Sequence, residues 1–408
     1  MAQPTNRPNR IILSWSADCA TTQSVTWRTS ENINESFAEL AEASDFQRFI
    51  DRYALRDPEF PESKNSFVAI QESVESSDLK YHSHSVTFTD LKPETVYCYR
   101  VGQRDTWSEW FTFKTGSQDE KPFSFIYFGD AQNGLDTVYP QLVRKAFLSQ
   151  PDAAFAVFCG DLVDVSDETS WDKWFSALGF LAASYRIMPV PGNHEYTRND
   201  AEGYVLSKIW HPMFTLPENG PESMKESCYT FVYNGVRMIG LDSTKGVREG
   251  SELTQWLENV LNNNKSRWTV VYFHHPVYSP AIRRNEVAWR RMIKPLLDKH
   301  RVDLVLQGHD HIYARTGLHT PHVDVVDLKN TTELDPDSRT VYVTSVAGAK
   351  MYELDEKPFF VKTLTNTQLF QIIHIDGNTL TLTAKTVMGD VIDSFILEKK
   401  DQGIRLRD

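Results

Sequence analysis

Five apolar runs in this sequence each end abruptly at Asp, Asn or His, and this repeated pattern constrains the fold more than any other feature. An apolar, β-branched or aromatic run without polar alternation is typical of a strand buried on both faces. Ligands bind at the carboxyl ends of such strands in open α/β sheets, so the pattern predicts a crevice lined by these polar residues. The five transitions lie at 128–132, 158–164, 190–195, 273–276 and 306–311.

The last transition carries two histidines. The apolar residues 302–306 lead to Gly308, and His309 and His311 follow. Residues two apart in an extended chain point to the same side, so a turn at Gly308 directs both imidazoles into one crevice. A His-x-His pair by itself fits two surface histidines on a loop about equally well.

The other transitions strengthen this interpretation. Taken singly, Gly-Asp after a strand is usually a helix N-cap, and a histidine before proline is usually a loop residue. Four of the five transitions, however, place a glycine immediately before the first polar residue, which allows the backbone to turn closely around a bound group. The residues collected in this way are Asp130, Asp161, Asn193, His274, His309 and His311.

These residue types predict a pair of metal ions. Two cations about 3.5–4 Å apart repel each other, so a shared carboxylate has to bridge them while neutral imidazoles complete each coordination shell. Oxygen and nitrogen donors suit Fe, Zn or Mn. Thiolate sites are not indicated, because Cys19, Cys98, Cys159 and Cys228 show no Cys-x-x-Cys spacing.

The periodicity of the chain predicts two domains of different class. Residues 1–116 alternate short aromatic strands with polar turns, which is typical of a β-sandwich, and the three- and four-residue spacing of apolar residues at 36–56 predicts a helical insertion. The polar stretch 114–122 predicts the linker. Residues 122–400 alternate strands with amphipathic helices, which predicts α/β layers, and the strands after residue 340 are expected to extend a second sheet.

Charge and hydropathy exclude several functions. A formal net charge of −12 argues against nucleic acid as a partner, and no apolar run reaches the roughly 18 residues of a membrane span. The first residues lack the features of a signal peptide, so either the protein is cytoplasmic or a leader has been removed. Cys19 and Cys98 are expected to pair if the protein is exported, or to be buried thiols. The oligomeric state is not indicated.

Two stretches resemble a known family. The sequence around Lys92-Pro93-Glu94-Thr95, with Tyr97 and Tyr99, resembles the fibronectin type III-like domain of purple acid phosphatases. The five transitions resemble the ligand loops of the calcineurin-like metallophosphoesterases. The resemblance implies a β-sandwich followed by a four-layer αββα catalytic domain, and a periplasmic or secreted location.

The resemblance also implies residue roles. Asp130 and His311 would bind the first metal, and Asp161 would bridge. Asn193, His274 and His309 would bind the second metal, with His274 preferred to His275 because the family pattern is His-x-Pro. His194 would lie outside the coordination shell, contacting phosphate or protonating the leaving oxygen. Gln132 and Asp164 would be weak ligands or outer hydrogen-bond partners.

The implied activity is hydrolysis of a phosphomonoester, as in acid phosphatases, by a metal-activated hydroxide. A phosphodiesterase or nucleotide pyrophosphatase of the same fold is the nearest alternative, and a binding protein with structural metals is a remote one. Residues near the ligand loops would contact a small-molecule phosphate ester: Asn193, His194, Arg198, Tyr278, Tyr313 and Arg315. Trp171, Tyr196, Arg283 and Arg284 follow the same loops and are further candidates, although packing or a surface position accounts for each of them singly.

We predict that the metal-loaded protein is colourless. Purple acid phosphatases have a tyrosine three residues after the bridging aspartate, and its bond to Fe(III) gives the colour; Asp164 occupies that position here. General metallophosphoesterases often have a histidine where this chain has Gln132. A visible absorption spectrum should therefore lack a tyrosinate charge-transfer band, and the presence of such a band would contradict this prediction.

Overall fold

A computed structural model describes residues 3–44, 64–76, 79–103, 105–199, 203–245, 252–400 and 403–408. Its N-terminal part is rich in strands. The strands of this part are β1 (Asn9–Ser14), β2 (Gln23–Ser30), β3 (Phe37–Glu42), β4 (Asn65–Val68), β5 (Ile70–Ser76), β6 (Leu79–Phe88), β7 (Val96–Gly102) and β8 (Phe111–Lys114).

These strands form two packed sheets, as the alternating aromatic pattern predicted. One sheet has the order β4-β3-β7-β8, and the other has β1-β2-β6-β5. Side chains from both sheets fill the space between them, including Trp27 and Phe88 from one sheet and Leu40 and Tyr99 from the other. The two sheets thereby bury the apolar surfaces that face each other, which is the condition for a stable sandwich.

The predicted helix at 36–56 is wrong at its start. Residues 37–42 form β3, which pairs antiparallel with β7 so that Ala38 lies opposite Val101 and Leu40 lies opposite Tyr99. Alternation buries Ala38 and Leu40 in the sandwich core, and pairing on both edges outweighs the helical spacing. The remainder of the predicted insertion falls on residues 45–63, outside the described part of the chain.

The second part alternates strands and helices. Its strands are β9 (Phe123–Phe128), β10 (Phe155–Cys159), β11 (Arg186–Val190), β12 (Tyr196–Asn199), β13 (Gly203–Leu206), β14 (Tyr229–Tyr233), β15 (Val236–Leu241), β16 (Trp268–Phe273), β17 (Leu304–Gln307), β18 (Tyr313–Thr316), β19 (Val341–Thr344), β20 (Phe360–Leu364), β21 (Leu369–Asp376), β22 (Thr379–Thr386), β23 (Val391–Lys400) and β24 (Gly403–Arg407). Its helices are α1 (Tyr139–Ser149), α2 (Glu168–Leu178), α3 (Trp210–Met213), α4 (Glu252–Asn262) and α5 (Val287–Lys299), with short 3-10 helices at Gly179–Leu181, Asn193–Glu195 and Glu222–Met224.

Two sheets and two pairs of helices make the expected αββα layers. Strands β9, β10 and β11 are parallel neighbours in the first sheet, and β15, β16, β17 and β19 are parallel neighbours in the second. Apolar side chains of α1 and α2 belong to the core of the first sheet, and those of α4 and α5 cover the second. Because both faces of each sheet are covered, the strands read as continuous apolar runs.

The last strands differ from expectation. β21, β22, β23 and β24 extend the first sheet beyond β9, and only β19 and β20 of the strands after residue 340 join the second sheet. β21 pairs antiparallel with β9, which covers an edge that would otherwise be open. None of the helices in the described residues combines the length and apolar character that a membrane span requires.

The two parts share one sheet. Strand β1 of the sandwich pairs in parallel with β11 through Leu13 and Arg186, and the Leu13 amide donates to the Ala182 carbonyl at 2.9 Å. The N-terminal part is therefore joined by backbone hydrogen bonds to the strand that leads into Asn193.

A buried ion network reinforces this junction. The Glu168 carboxylate on α2 accepts hydrogen bonds from Arg28 Nη1 at 3.1 Å and Tyr81 OH at 3.0 Å, and it lies 2.8 Å from Arg10 Nη2. Burial lowers the pKa of Arg28, against the neighbouring carboxylates that favour its charge. The network ties three strands of the sandwich, β1, β2 and β6, to a helix of the second part.

We predict that Glu168→Ala lowers the free energy of unfolding by about 3 kcal/mol, because it removes one of the two carboxylates that compensate the buried guanidinium groups and leaves Asp172 alone to pair with both. Urea denaturation followed by circular dichroism measures the change. Lys173→Ala is the matched control on the same helix, since it removes only the exposed ion pair with Asp136 and should cost less than about 1 kcal/mol. Equal losses in the two variants would contradict the assignment.

Candidate metal centre

The structure brings the six predicted ligand residues together at the carboxyl ends of strands from both sheets. Asp130 follows β9, Asp161 follows β10 and Asn193 follows β11, while His274 follows β16 and His309 and His311 follow β17. Side-chain donor atoms of Asp130, Asp161 and His311 lie within 4.8 Å of one another, and so do those of His274, His275 and His309. The six residues come from loops almost two hundred positions apart in the sequence.

One half of the cluster pairs Asp130 with His311. His311 Nδ1 lies 2.7 Å from the Lys350 carbonyl and therefore carries the ring proton as its donor. Nε2 is left with its lone pair, 3.0 Å from Asp130 Oδ2. Neither of these two buried atoms has a hydrogen-bond partner among the described residues. Two buried acceptors that face each other fit a cation between them.

The other half repeats the arrangement around His274. His274 Nδ1 lies 2.9 Å from the Cys159 carbonyl, which assigns the ring proton to Nδ1. The lone pair on Nε2 then faces Asn193 Oδ1 at 3.1 Å, Asp161 Oδ2 at 3.2 Å and His309 Nδ1 at 3.0 Å. Four donor atoms thus converge on one point, and Asp161 lies between this group and the Asp130 half.

The electrostatics of the cluster also fit cations. Burial disfavours a charged His274, yet the Asp161 and Asp130 carboxylates outweigh burial and raise the pKa of His274 to about 10. Burial also disfavours a charged Asp161 and would raise its pKa, but His274 outweighs burial and lowers the pKa of that carboxyl to about 2. Positive charge is therefore strongly favoured at this position, and a proton on His274 supplies it when no cation does.

The backbone of the ligand loops adopts uncommon conformations. Asp161, His309 and His311 have φ values of 49°, 74° and 47°, in the left-handed region that non-glycine residues seldom occupy. Glycines allow the loops to approach one another: a Cβ on Gly192 would lie 2.2 Å from Asp161 Oδ1, and one on Gly308 would lie 2.3 Å from Asp130 Oδ1. Such strain is typical of functional sites.

Glu195 holds two of the ligand loops in place. Its buried carboxylate accepts hydrogen bonds from the backbone amides of Asp161, Leu162 and Gly192 at 2.7–2.8 Å, and from that of Val163 at 3.2 Å. Glu195 ends the transition at 190–195, but its residue type alone does not indicate a role there. Its contacts are to backbone amides, so Glu195 positions Asp161.

His194 lies beside the cluster with its proton position defined. Its amide donates to Asp161 Oδ1 at 2.9 Å, and its Nδ1 hydrogen-bonds to the Asp164 carbonyl. Nε2 is therefore the nitrogen that can exchange a proton, and it lies 3.9 Å from Asp161 Oδ2. Gln132 Nε2 donates to Asp164 Oδ1 at 3.2 Å, and Gln132 Oε1 is buried with no hydrogen-bond partner in the part of the chain that the structure describes.

A sixth strand end also contributes, which the sequence reasoning missed. Ser243 Oγ lies 2.9 Å from His275 Nδ1, and the His275 ring packs 4.4 Å from that of His309. Burial lowers the pKa of His275 to about 3. Leu241-Asp242 ends β15 with the same change from apolar to acidic residue as the recognised transitions, and this was the available signal.

The rim of the cluster carries an arginine. Arg284 Nη1 lies 3.1 Å from Asp310 Oδ1, and its guanidinium packs 4.5 Å from the Tyr352 ring. Tyr352 in turn stacks on the His311 ring at 4.5 Å. The Arg284 side chain is 32% exposed, so this candidate substrate contact combines a positive charge at the rim of the cluster with access to a ligand.

Three of the predicted substrate contacts are committed to internal packing. Tyr278 and Tyr313 are buried, the first donating to a backbone carbonyl and the second to Asp393 Oδ2 at 2.8 Å. Arg315 is also buried and pairs with Asp393 at 2.7 Å. Arg198 is exposed on β12. Because the side chains of Tyr278, Tyr313 and Arg315 are committed to packing and internal hydrogen bonds, we remove these three from the substrate-binding set.

Comparison with known proteins agrees with this geometry. Residues 8–115 match the model of the purple acid phosphatase N-terminal domain, and residues 123–313 match that of the calcineurin-like phosphoesterases. The fibronectin type III likeness and the limits 1–116 and 122–400 stay predictions. The solved structure of PhoD superposes with a TM-score of 0.67 over 100% of this chain and 94% of that chain at 13% identity, which shows the fold.

Curated relatives point the same way. An uncharacterized protein of Mycobacterium tuberculosis is 26% identical over 65% of this chain and 56% of its own length. A probable purple acid phosphatase 20 of Arabidopsis thaliana is 31% identical over 57% of this chain and 55% of its own length. The chain thus spans little more than half the length of these relatives. It belongs to the calcineurin-like metallophosphoesterases, with a purple acid phosphatase N-terminal domain preceding the phosphoesterase domain.

Proposed function

We propose that the protein is a metal-dependent phosphomonoesterase with two cations of Fe, Zn or Mn. The observation that carries the proposal is the position of Asp161 between two groups of donors whose imidazole lone pairs face inward. This family normally binds a dinuclear metal centre, and the donor set of this chain fits one. Asp130 and His311 would hold one cation, Asn193, His274 and His309 the other, and Asp161 both.

The chemistry divides between the cations and the chain. When bound, a pair of divalent cations lowers the pKa of water towards about 7 and offsets charge on the phosphoryl oxygens. The chain fixes the donor geometry: the Cys159 and Lys350 carbonyls orient two imidazoles, and Glu195 holds the Asp161 loop. Preorganised donors of this kind need little rearrangement during the reaction.

His194 would supply the proton for the leaving oxygen. Its Nδ1 is engaged by the Asp164 carbonyl, so the proton would move from Nε2. The side chain is 29% exposed, which leaves room for a substrate beside it. Arg284, beside Asp310 at the rim of the cluster, would bind a phosphoryl oxygen through its guanidinium. Together these groups favour a dianionic monoester over a monoanionic diester.

We predict chelator-sensitive hydrolysis with a preference for monoesters. Removal of metal should abolish turnover of 4-nitrophenyl phosphate, and restored Zn, Mn or Fe should recover it. The ratio kcat/KM should be about tenfold or more higher for this monoester than for bis(4-nitrophenyl) phosphate. A preference for the diester would support the phosphodiesterase alternative. Absence of hydrolysis across a phosphoester panel would overturn the enzymatic proposal and support a binding protein.

We predict that His194→Ala reduces kcat by about 10²-fold or more while metal content is unchanged, because the proton donor is lost and the ligands remain. The loss should be larger for an alkyl phosphate than for 4-nitrophenyl phosphate, since a poor leaving group depends more on protonation. His322→Ala, which removes a half-exposed histidine paired with Asp335, is the control. Loss of metal in His194→Ala would instead make His194 a ligand.

A further inference from the structure

We propose that a cleft at the junction of the two domains, with Arg186 at its floor, binds a small organic anion with an apolar body. The cleft has a volume of about 700 Å³ and lies between β8, the linker and the amino-terminal ends of β9 and β11. Its size is that of a site for a small molecule, and such sites often occur at domain junctions.

Arg186 is a buried cation without a carboxylate partner. The residue is 5% exposed, and Nε donates to Gln23 Oε1 at 2.7 Å while Nη2 donates to the Lys114 carbonyl. Among the described residues, no carboxylate oxygen lies close enough to the Arg186 guanidinium, within 4 Å, to form an ion pair with it. The guanidinium instead packs between the Trp15 and Phe113 rings, each at 5.4 Å. Burial lowers the pKa of Arg186 to about 10, still well above neutral pH.

Three other buried arginines find partners for their guanidinium groups within the protein, whereas Arg186 is only partly satisfied. Arg28 and Arg100 pair with carboxylates, and Arg290 directs all three of its nitrogens to backbone carbonyls or an amide oxygen. Nη1 of Arg186 has no acceptor among the described residues, and it is not sealed from solvent in the way that an orphaned core nitrogen is. A buried, uncompensated cation is unfavourable. An anion bound in the cleft would compensate the charge of Arg186 and accept a hydrogen bond from its Nη1.

The walls of the cleft select the kind of anion. Lys114, Lys121 and Arg186 line it against Glu94 and Asp152, a net charge of +1 with His374 neutral, on a chain whose formal net charge is −12. Glu94 is already paired with Lys121 at 2.6 Å. Aromatic rings supply the apolar surface: Phe113, Phe123, Phe180, Tyr185 and Tyr233. This combination suits a carboxylate or phosphate attached to an aromatic or aliphatic body.

The cleft is separate from the metal centre. Arg186 begins β11, and Asn193 follows the other end of that strand. At about 3.3 Å per residue, the two residues are on the order of 20 Å apart. Binding in the cleft would therefore not require metal, whereas binding of an anion at the metal centre would. A test of the cleft is for this reason independent of the proposed phosphatase activity.

Paired probes test the charge requirement. Isothermal titration calorimetry on the full chain compares 2-naphthoate with its neutral isostere 2-naphthamide, before and after chelation of metal. We expect 2-naphthoate to bind at least about tenfold more tightly than the amide, with the same affinity after chelation. Equal affinities for the two probes, loss of binding on chelation, or failure of 2-naphthoate to bind would each overturn the proposal.

Variants assign the site. Arg186→Gln should reduce the affinity for 2-naphthoate about tenfold or more, and Arg186→Lys should retain part of it. Arg237→Gln is the matched control, because Arg237 is half-buried, donates to Asn264 and Thr230, and lies outside the cleft. If Arg186→Gln does not fold, Lys114→Gln on the exposed wall should weaken binding severalfold. Unchanged affinity in a folded Arg186→Gln protein, or in Lys114→Gln where that variant is used, would overturn the assignment.

Discussion

Two buried carboxylates, Asp130 and Asp161, face the Nε2 atoms of imidazoles whose Nδ1 atoms donate to backbone carbonyls. Acceptor against acceptor is unfavourable unless positive charge lies between them. The raised pKa of His274 expresses the same requirement, since burial alone would lower it. A cation pair resolves this conflict, and the surrounding loops are arranged to present the donors to it.

The scaffold supports this arrangement at two levels. Locally, left-handed backbone at Asp161, His309 and His311 turns the side chains of these three candidate metal ligands towards the cluster. The Glu195 carboxylate holds the Asp161 loop by accepting hydrogen bonds from its backbone amides. At longer range, β1 of the N-terminal domain pairs with β11, whose far end carries Asn193. The N-terminal domain is thus part of the sheet that positions a candidate ligand, and the Glu168 network fixes it to α2.

The parallel strands and the candidate metal ligands that follow them could be predicted from the sequence, because strand ends carry two signals at once. A buried parallel strand has a continuous apolar run, and its carboxyl end must present whatever chemistry the crevice needs, so Asp130, Asp161 and His309 stand out as changes of residue type. The hairpin turns at Asn234-Gly235 and Asp376-Gly377 are recognisable in the sequence for a similar reason, since turn residues have strong local preferences.

The errors arose where distant contacts decide the outcome. Residues 37–42 have apolar spacing that fits a helix or a strand, and pairing with β4 and β7 selects the strand. Tyr313 and Arg315 follow a ligand loop in sequence but turn towards Asp393, some eighty residues later, which no local pattern reveals. Glu195 and Ser243 act through hydrogen bonds to other loops, so their roles required the three-dimensional arrangement.

The central claim is that Asp161 bridges two cations, and anomalous X-ray scattering from crystals of metal-loaded protein tests it most directly. The account predicts two anomalous peaks about 3.5–4 Å apart with Asp161 between them, one beside Asp130 and His311 and the other beside Asn193, His274 and His309. A single peak, two peaks that do not share Asp161, or no peak within this cluster at saturating metal would contradict it.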